Sequence, residues 1–159
     1  MTVISVEKDP KALTMTVTAR FAAPVERVWE VWADPRKLER WWGPPGYPAT
    51  FLEHELTPGG TVTYYMTGPE GEKFHGWWQM TSVEPPRRLE FEDGFSHEDG
   101  RRNDDMPTMT MRVELSPADG GTAMTIETAF RTVDEMERLV AMGMEEGIKL
   151  AAGQIDDLL

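Results

Sequence analysis

Apolar and polar residues alternate strictly along residues 13–21. The odd positions carry Leu, Met, Val, Ala and Phe, whereas the even positions carry Thr and Arg. A period of two is typical of a β-strand that buries one face and exposes the other. The pattern therefore predicts a strand over residues 13–21.

Apolar residues then recur at helical spacing. Pro24 suits a first helical position, and a buried stripe at i, i+3, i+4 and i+7 follows it: Val25, Val28, Trp29 and Trp32. Asp34 is a typical N-cap and Pro35 suits the next position, so we predict a second short helix that carries Leu38 and the two tryptophans after it. The Gly-Pro-Pro-Gly run at 43–46 ends this helix, because proline lacks an amide donor and clashes with the preceding turn.

Short runs rich in apolar residues alternate with turn residues from residue 49 to residue 130. They predict six strands, over residues 49–56, 61–67, 73–83, 87–93, 108–116 and 122–130. The intervening turns contain Pro-Gly, Pro-Pro or Gly-Gly pairs, which favour hairpins between antiparallel strands. Residues 94–107 are polar and long for a hairpin connection, so we expect a lid or a mobile loop there.

The last segment predicts one long helix. Thr132 and Glu135 have the spacing of a capping box, and helical periodicity continues without proline to Leu158. One row of this helix consists of small residues at i, i+4 and i+8: Gly143, Gly147 and Ala151. Two explanations stay open, since small residues either let the helix pack closely on a sheet or leave volume for a ligand.

The order of elements is a strand, two short helices, six strands and a long helix. A strongly curved antiparallel sheet wrapped around the long helix would bury both the alternating strand faces and the apolar helix stripe. We therefore predict an α+β fold in a single domain, over residues 1–159.

Composition narrows the class of function. The chain has 159 residues, no cysteine and a net charge of −12. Disulfides and zinc–thiolate sites are thus excluded, and the negative charge makes nucleic acid and membrane surfaces poor partners. No apolar run is long enough to span a membrane and no secretory signal is visible, so we expect a cytoplasmic protein.

Recognised chemical motifs are missing from the sequence. The three histidines are scattered, without His-x-His or His-Glu-x-x-His spacing, and no nucleophile elbow, P-loop or dinucleotide fingerprint occurs. We therefore expect no metal, no cofactor and no catalytic signature.

Four segments resemble a known superfamily. Residues 21–66, including the run RWWGPPGYP, and residues 71–93, 122–130 and 142–159 are similar, in order, to the START-like (SRPBCC) helix-grip superfamily. Within it they resemble the bacterial branch related to the activator of heat-shock-90 ATPase. The resemblance implies a curved antiparallel sheet that grips the C-terminal helix, with a cavity between them. Members of the superfamily include lipid carriers, polyketide cyclases, hormone receptors and chaperone activators.

An apolar cavity of this kind has several candidate lining residues. Adjacent residues of a helix cannot face the same way, so one tryptophan of the pair at 41–42 anchors the helix and the other faces the cavity mouth. Both faces of the strand at 73–83 carry a tryptophan, and alternation alone does not decide which face points inward. The candidate ligand-binding residues are Trp41, Trp42, Tyr47, Tyr64, His75, Trp77, Met136, Val140, Gly143, Met144 and Gly147.

Three classes of function remain. The leading hypothesis is a binding protein for a small apolar or aromatic molecule, because methionine, tryptophan and glycine are typical of an adaptable apolar surface. The alternatives are a cyclase- or hydrolase-like enzyme that uses His75, a tyrosine or a buried glutamate, and a module that regulates a chaperone ATPase. Edge strands of such a sheet can pair with a second copy, so a homodimer is a further alternative.

Overall fold

The computed structural model describes residues 3–159, which form one eight-stranded antiparallel sheet and four α-helices. The strands are β1 (Val3–Asp9), β2 (Thr14–Phe21), β3 (Ala49–His54), β4 (Thr61–Thr67), β5 (Lys73–Glu84), β6 (Arg88–Phe95), β7 (Met109–Ala118) and β8 (Gly121–Ala129). The helices are α1 (Val25–Ala33), α2 (Pro35–Trp41), α3 (Val133–Ala141) and α4 (Met144–Ala152). The strand order is β1-β2-β8-β7-β6-β5-β4-β3, so β1 and β3 are the edges. The predicted α+β class and helix-grip arrangement are confirmed.

Each strand predicted from the sequence is present, with ends that differ by up to two residues. Strand β2 shows the expected alternation, since Met15, Val17, Ala19 and Phe21 are all buried. Strand β1 was not predicted from the sequence, and it pairs with β2 in the register Val6 opposite Val17. Only two alternating apolar residues, Ile4 and Val6, mark this strand, and a pattern of that length is too short to predict a strand from the sequence.

The two short helices form where the apolar spacing predicted them. Asp34 caps α2, because its carboxylate accepts a hydrogen bond from the Arg36 amide at 2.9 Å. Trp41 is fully buried, and its indole N–H donates to the Val31 carbonyl at 2.8 Å. This bond ties the end of α2 to α1, so the position of the chain after α2 is set by a buried contact.

The predicted long C-terminal helix is wrong as one continuous element. Helix α3 ends at Ala141 and α4 begins at Met144, and a 3₁₀ turn follows at Ile155–Leu158. Gly143 lies between the helices with φ +91°, in the left-handed region that only glycine enters easily. The amide of Gly143 bonds to the Val140 carbonyl, three residues back, which ends the α-helical pattern. The periodicity of the apolar residues survives this break, and it therefore could not reveal it.

The segment after β6 folds back onto the sheet. Ser96 and Arg102 form an isolated β-bridge, and the Arg102 guanidinium lies 3.9 Å from the centre of the Trp77 ring. This loop thus covers one face of the sheet, while the helices lie on the other. Among residues 3–159, no helix combines the length and apolarity needed to cross a bilayer.

Candidate functional site

A cavity of about 280 Å³ lies between the sheet and the two C-terminal helices. It receives side chains from β4, β6 and β7, from α3 and α4, and from the turn that follows α2. The lining residues are Trp42, Pro44, Tyr64, Met66, Asp93, Phe95, Met109, Met111, Leu139, Met142, Gly143, Met144, Gly147, Ile148 and Ala151. Most of this lining is apolar, which favours an apolar guest.

Strand alternation places the sheet side of the lining. Tyr64 and Met66 are two residues apart on β4, and Asp93 and Phe95 are two apart on β6, so each pair shares the inner face. Met109 pairs directly with Asp93 across β6 and β7. The three strands therefore present these side chains on the same inner face of the sheet, with β5 lying between β4 and β6.

The small residues of α4 and of the helix break leave open space. A methyl group built at Gly143 or at Gly147 would meet no heavy atom within 4 Å beyond the local helix backbone. Close packing of the helix on the sheet, one of the two explanations open at the sequence level, does not account for these two glycines. Both of them line the cavity, so their missing side chains leave volume there.

Glycines in the sheet position two aromatic rings on opposite faces. Tyr64 pairs with Gly76, and a methyl group on Gly76 would lie 2.5 Å from the Tyr64 hydroxyl oxygen. Trp77 covers Gly94 in the same way on the outer face. Tyr64 thus lies flat across the inner face, with its hydroxyl carried towards β6.

The Tyr64 hydroxyl meets a buried carboxyl group at this point. It donates a hydrogen bond to Asp93 Oδ1 at 3.5 Å, and the two residues are only 8% and 7% exposed. Burial raises the pKa of Asp93 from 3.8 to about 7, against the opposing effect of the Tyr64 hydrogen bond. Burial, followed by the nearby Asp93 charge, raises the pKa of Tyr64 well above its usual value.

Indole N–H groups surround the same place. Trp42 packs against Trp78 with ring centres 4.9 Å apart, and against Tyr64 at 6.2 Å. The N–H groups of Trp32, Trp42 and Trp78 are buried without a hydrogen-bond partner in the described part of the chain. A polar cluster of Trp42, Tyr64 and Asp93 therefore interrupts an otherwise apolar lining.

Five of the residues predicted to bind ligand line the cavity: Trp42, Tyr64, Gly143, Met144 and Gly147. The adjacent tryptophans divide as expected, since Trp41 anchors α2 in the core while Trp42 faces the cavity. Tyr47 lies apart from the lining and packs against Phe74, with ring centres 6.1 Å apart.

Four more of the candidate residues lie elsewhere. His75 and Trp77 share the outer face of β5, because Gly76 and Trp78 occupy the inner one. Met136 belongs to a second apolar cluster with Met15, Met109, Phe130 and Leu139, and Val140 packs against that cluster. These four residues do not line the cavity, although periodicity placed them on plausible faces.

Asp93 is the functional candidate that the sequence analysis missed. It occupies the middle of the run Phe91-Glu92-Asp93-Gly94-Phe95, where residues 91, 93 and 95 share one face. An acidic residue between two phenylalanines on a buried face is an exception to the alternation, and that exception was the available signal. Among residues 3–159, no group of three or more His, Asp or Glu side chains is arranged to hold a metal ion.

Comparisons with known proteins place the chain in a family. A family model described as "Activator of Hsp90 ATPase homolog 1-like protein" matches residues 22–159. The structure of protein Ms6760 from Mycobacterium smegmatis is 46% identical, with a TM-score of 0.92 over 99% of this chain and 97% of that one. A protein from Arthrobacter aurescens is 50% identical, with a TM-score of 0.93 over 97% and 90% of the two chains.

More distant structures share the fold. The AHSA1 protein from Silicibacter pomeroyi is 23% identical, with a TM-score of 0.74 over 91% of this chain and 95% of that one. None of the curated proteins matches this chain.

Proposed function

This chain belongs to the family of activator of Hsp90 ATPase homolog 1-like proteins, and on that premise we propose that it binds a small apolar or aromatic molecule in the cavity between sheet and helices. The observation that carries the proposal is the unfilled apolar space beside Gly147, inside α4. Glycine within a helix costs about 1 kcal/mol relative to alanine. A ligand that fills the space would offset the loss of packing there.

The composition of the lining supports an adaptable site. Five of its fifteen residues are methionines, whose flexible and polarizable side chains adjust to ligands of different shape. The volume lies close to the lower end of the range for small-molecule pockets, roughly 300–1,000 Å³. A molecule of two or three fused or linked rings would suit this space better than a long lipid.

The helix break supports access to the cavity. Met142 lines the cavity, yet 56% of this residue is exposed, so the mouth of the cavity lies beside it. Pro44, from the turn after α2, also contributes to the lining. The rigid turn and the break between α3 and α4 would thus flank the entrance.

Titration with the neutral fluorescent probe N-phenyl-1-naphthylamine tests the proposal. We expect saturable enhancement of its fluorescence by the wild-type protein. In Gly147→Leu the affinity should fall by about tenfold or more, because the new side chain occupies the cavity. The variant should still fold, since leucine is a better helix former than glycine and its Cβ meets no neighbour within 4 Å.

Gly147→Ala is the matched control, because it adds a single carbon at the same position. We expect it to retain most of the affinity of the wild type. Absence of saturable binding to the wild type, or equal affinity in wild type and Gly147→Leu, would show that the probe does not use this cavity and would contradict the proposal.

Acid–base catalysis is a second candidate, favoured by one observation. Asp93 and Tyr64 are two buried, hydrogen-bonded titratable groups in an apolar cavity, and burial brings the pKa of Asp93 to about 7. Mass spectrometry of a bound molecule after incubation distinguishes the two functions, because a carrier returns its ligand unchanged.

The proposed catalytic roles of His75 and of a buried glutamate lose support, because neither type of side chain lines the cavity among the described residues. Regulation of a chaperone ATPase stays a prediction.

A further inference from the structure

The polar cluster of Trp42, Tyr64 and Asp93 contains both a hydrogen-bond acceptor and a hydrogen-bond donor that are not fully used. Within residues 3–159, the only hydrogen bond to the Asp93 carboxylate comes from Tyr64, at the long distance of 3.5 Å. An ionised carboxylate has about four acceptor sites, so most of them are free in a residue that is 7% exposed. A buried acceptor of this kind gains from any donor that a ligand brings.

A buried donor is unused beside it. Trp42 lines the cavity, and its indole N–H has no partner within hydrogen-bond geometry among the described residues. It approaches the Tyr64 hydroxyl closely enough to oppose the rise that burial causes in the pKa of Tyr64. Buried polar groups are nearly always hydrogen-bonded, so an orphaned N–H in a cavity wall calls for an explanation. A ligand acceptor would supply the missing partner.

We propose that this cluster is a polar subsite for one hydroxyl group on an otherwise apolar ring system. The ligand hydroxyl donates a hydrogen bond to the Asp93 carboxylate, and its oxygen accepts one from the Trp42 indole N–H. This inference rests on the proposed function, because it concerns the ligand of the same cavity.

The hydrogen-bonding inventory separates a hydroxyl from other groups. A ketone or ether oxygen accepts from Trp42 but has no hydrogen to donate to Asp93. An ammonium group donates to Asp93 but leaves the indole N–H without an acceptor. A phenol or an alcohol does both with a single atom, so it satisfies both sides of the cluster.

Within residues 3–159, the surroundings of Asp93 contain no compensating cation. The residues paired with it are Trp78 on β5 and Met109 on β7, and Tyr64 approaches from β4. The helices contribute only Leu, Met, Gly, Ile and Ala side chains to the lining. Tyr64 is therefore the only other titratable group that the described part of the chain brings to the lining, and Asp93 depends on a ligand for a strong donor.

Competition against N-phenyl-1-naphthylamine tests the subsite with three probes of matched shape. They are 2-naphthol, 2-methylnaphthalene, which lacks the hydroxyl, and 2-naphthylmethylamine, which carries an ammonium group. For the wild type at about pH 8 we expect 2-naphthol to bind about tenfold more tightly than 2-methylnaphthalene, since a hydrogen bond to a charged group is a strong one. The preference should shrink severalfold at about pH 6, because burial raises the pKa of Asp93 to about 7 and a protonated carboxyl is a weaker acceptor.

Two variants complete the design. Asp93→Leu removes the acceptor, so 2-naphthol should lose most of its advantage over 2-methylnaphthalene, because only the Trp42 N–H is left to bond its oxygen. Glu92→Gln, which removes the exposed carboxylate next to Asp93 on the opposite face of β6, should keep the preference for 2-naphthol. The comparison of probes on the wild type does not depend on the folding of either variant.

Each remaining outcome is decisive. Equal binding of 2-naphthol and 2-methylnaphthalene by the wild type overturns the hydroxyl subsite while the binding function stands. Tighter binding of 2-naphthylmethylamine than of 2-naphthol also overturns it, in favour of a cation site. If none of the probes, including the fluorescent one, binds to the wild type, the proposed function fails and this inference fails with it.

Discussion

Asp93 is an acidic residue on a face of β6 that is otherwise apolar. Its neighbours on the same face are Phe91 and Phe95, and its side chain is buried among them rather than solvated. Burial without a cation disfavours the charged carboxylate, so this residue lowers the stability of the folded protein at neutral pH. A residue that costs stability in a cavity wall is a functional candidate on physical grounds.

Replacement of Asp93 by asparagine should therefore stabilise the protein in a pH-dependent manner. The folded-state pKa is about 7 and the unfolded value 3.8, so the folded wild type holds more protons between these values and loses stability as pH rises through that window. The advantage of Asp93→Asn should grow from about pH 4 to about pH 7 and then level off, at roughly 2–4 kcal/mol. Urea unfolding across this pH range measures it.

Tyr64→Phe is a useful comparison for that experiment. It removes the one hydrogen bond to Asp93, which favours the charged form, so the pKa of Asp93 should rise further. A stability difference between wild type and Asp93→Asn that is constant with pH would mean that the carboxyl group titrates as it does in the unfolded chain, and would contradict the effect of burial on the pKa of Asp93.

At the scale of elements, the C-terminal helical segment is divided by one backbone conformation. Gly143 adopts φ +91°, whereas Gly147 lies inside α4 with an ordinary helical backbone. The two glycines occupy equivalent positions in the i, i+4 row of small residues, but they differ in whether the backbone accepts a side chain. At Gly143 the conformation needs glycine, while at Gly147 only the missing side chain matters.

The same substitution at these two positions should have opposite effects on stability. Gly143→Ala should destabilise the protein by about 1–2 kcal/mol, because an L-residue in the left-handed region is strained. Gly147→Ala should stabilise it by up to about 1 kcal/mol, since alanine is the better helix former and its methyl group meets no neighbour within 4 Å. Thermal or urea unfolding of the pair checks both signs, and effects of the same sign would argue for a continuous helix.

The position and length of strand β5 were predictable from its own sequence, but the choice of its inner face was not. Each face of the strand carries a tryptophan, so the alternation does not indicate which face is the inner one. Neighbouring strands decide the outcome, because Tyr64 covers Gly76 on the inner face and Trp77 covers Gly94 on the outer one. Predictions that depended on the choice of face, those for His75 and Trp77, accordingly missed the cavity.

At the scale of the whole molecule, ligand binding should be linked to global stability. The cavity is built from β4, β6, β7, α3 and α4, so it exists only in the folded chain. At a free probe concentration of about a hundred times its dissociation constant, the free energy of unfolding should rise by about 2.7 kcal/mol. Differential scanning calorimetry with N-phenyl-1-naphthylamine should then show a Tm higher by several degrees.

Gly147→Leu provides the control for this linkage. Its Tm should respond little to the same probe concentration, because the added side chain fills the space that the probe needs. An equal rise of the Tm in both proteins would indicate binding at another surface.

The sequence by itself determined the class of fold and most of the elements, apart from β1 and the break between α3 and α4. Alternation along a strand, helical spacing after Pro24 and the N-caps at Asp34 and Thr132 are local signals, and each depends only on residues within one or two turns. The family resemblance added the arrangement of the sheet around the terminal helices, and the solved structures of relatives confirm it.

The tertiary structure alone decided where the cavity lies and what lines it. The break between α3 and α4 depends on one backbone dihedral angle, that of Gly143. The contact between Tyr64 and Asp93 joins residues that are 29 positions apart in the sequence. The choice of the inner face of β5 likewise depends on neighbouring strands. Periodicity records which side of an element is apolar, but not which partner that side meets. The contact between partners across the sheet sets the burial of Asp93, and burial is what sets its chemistry.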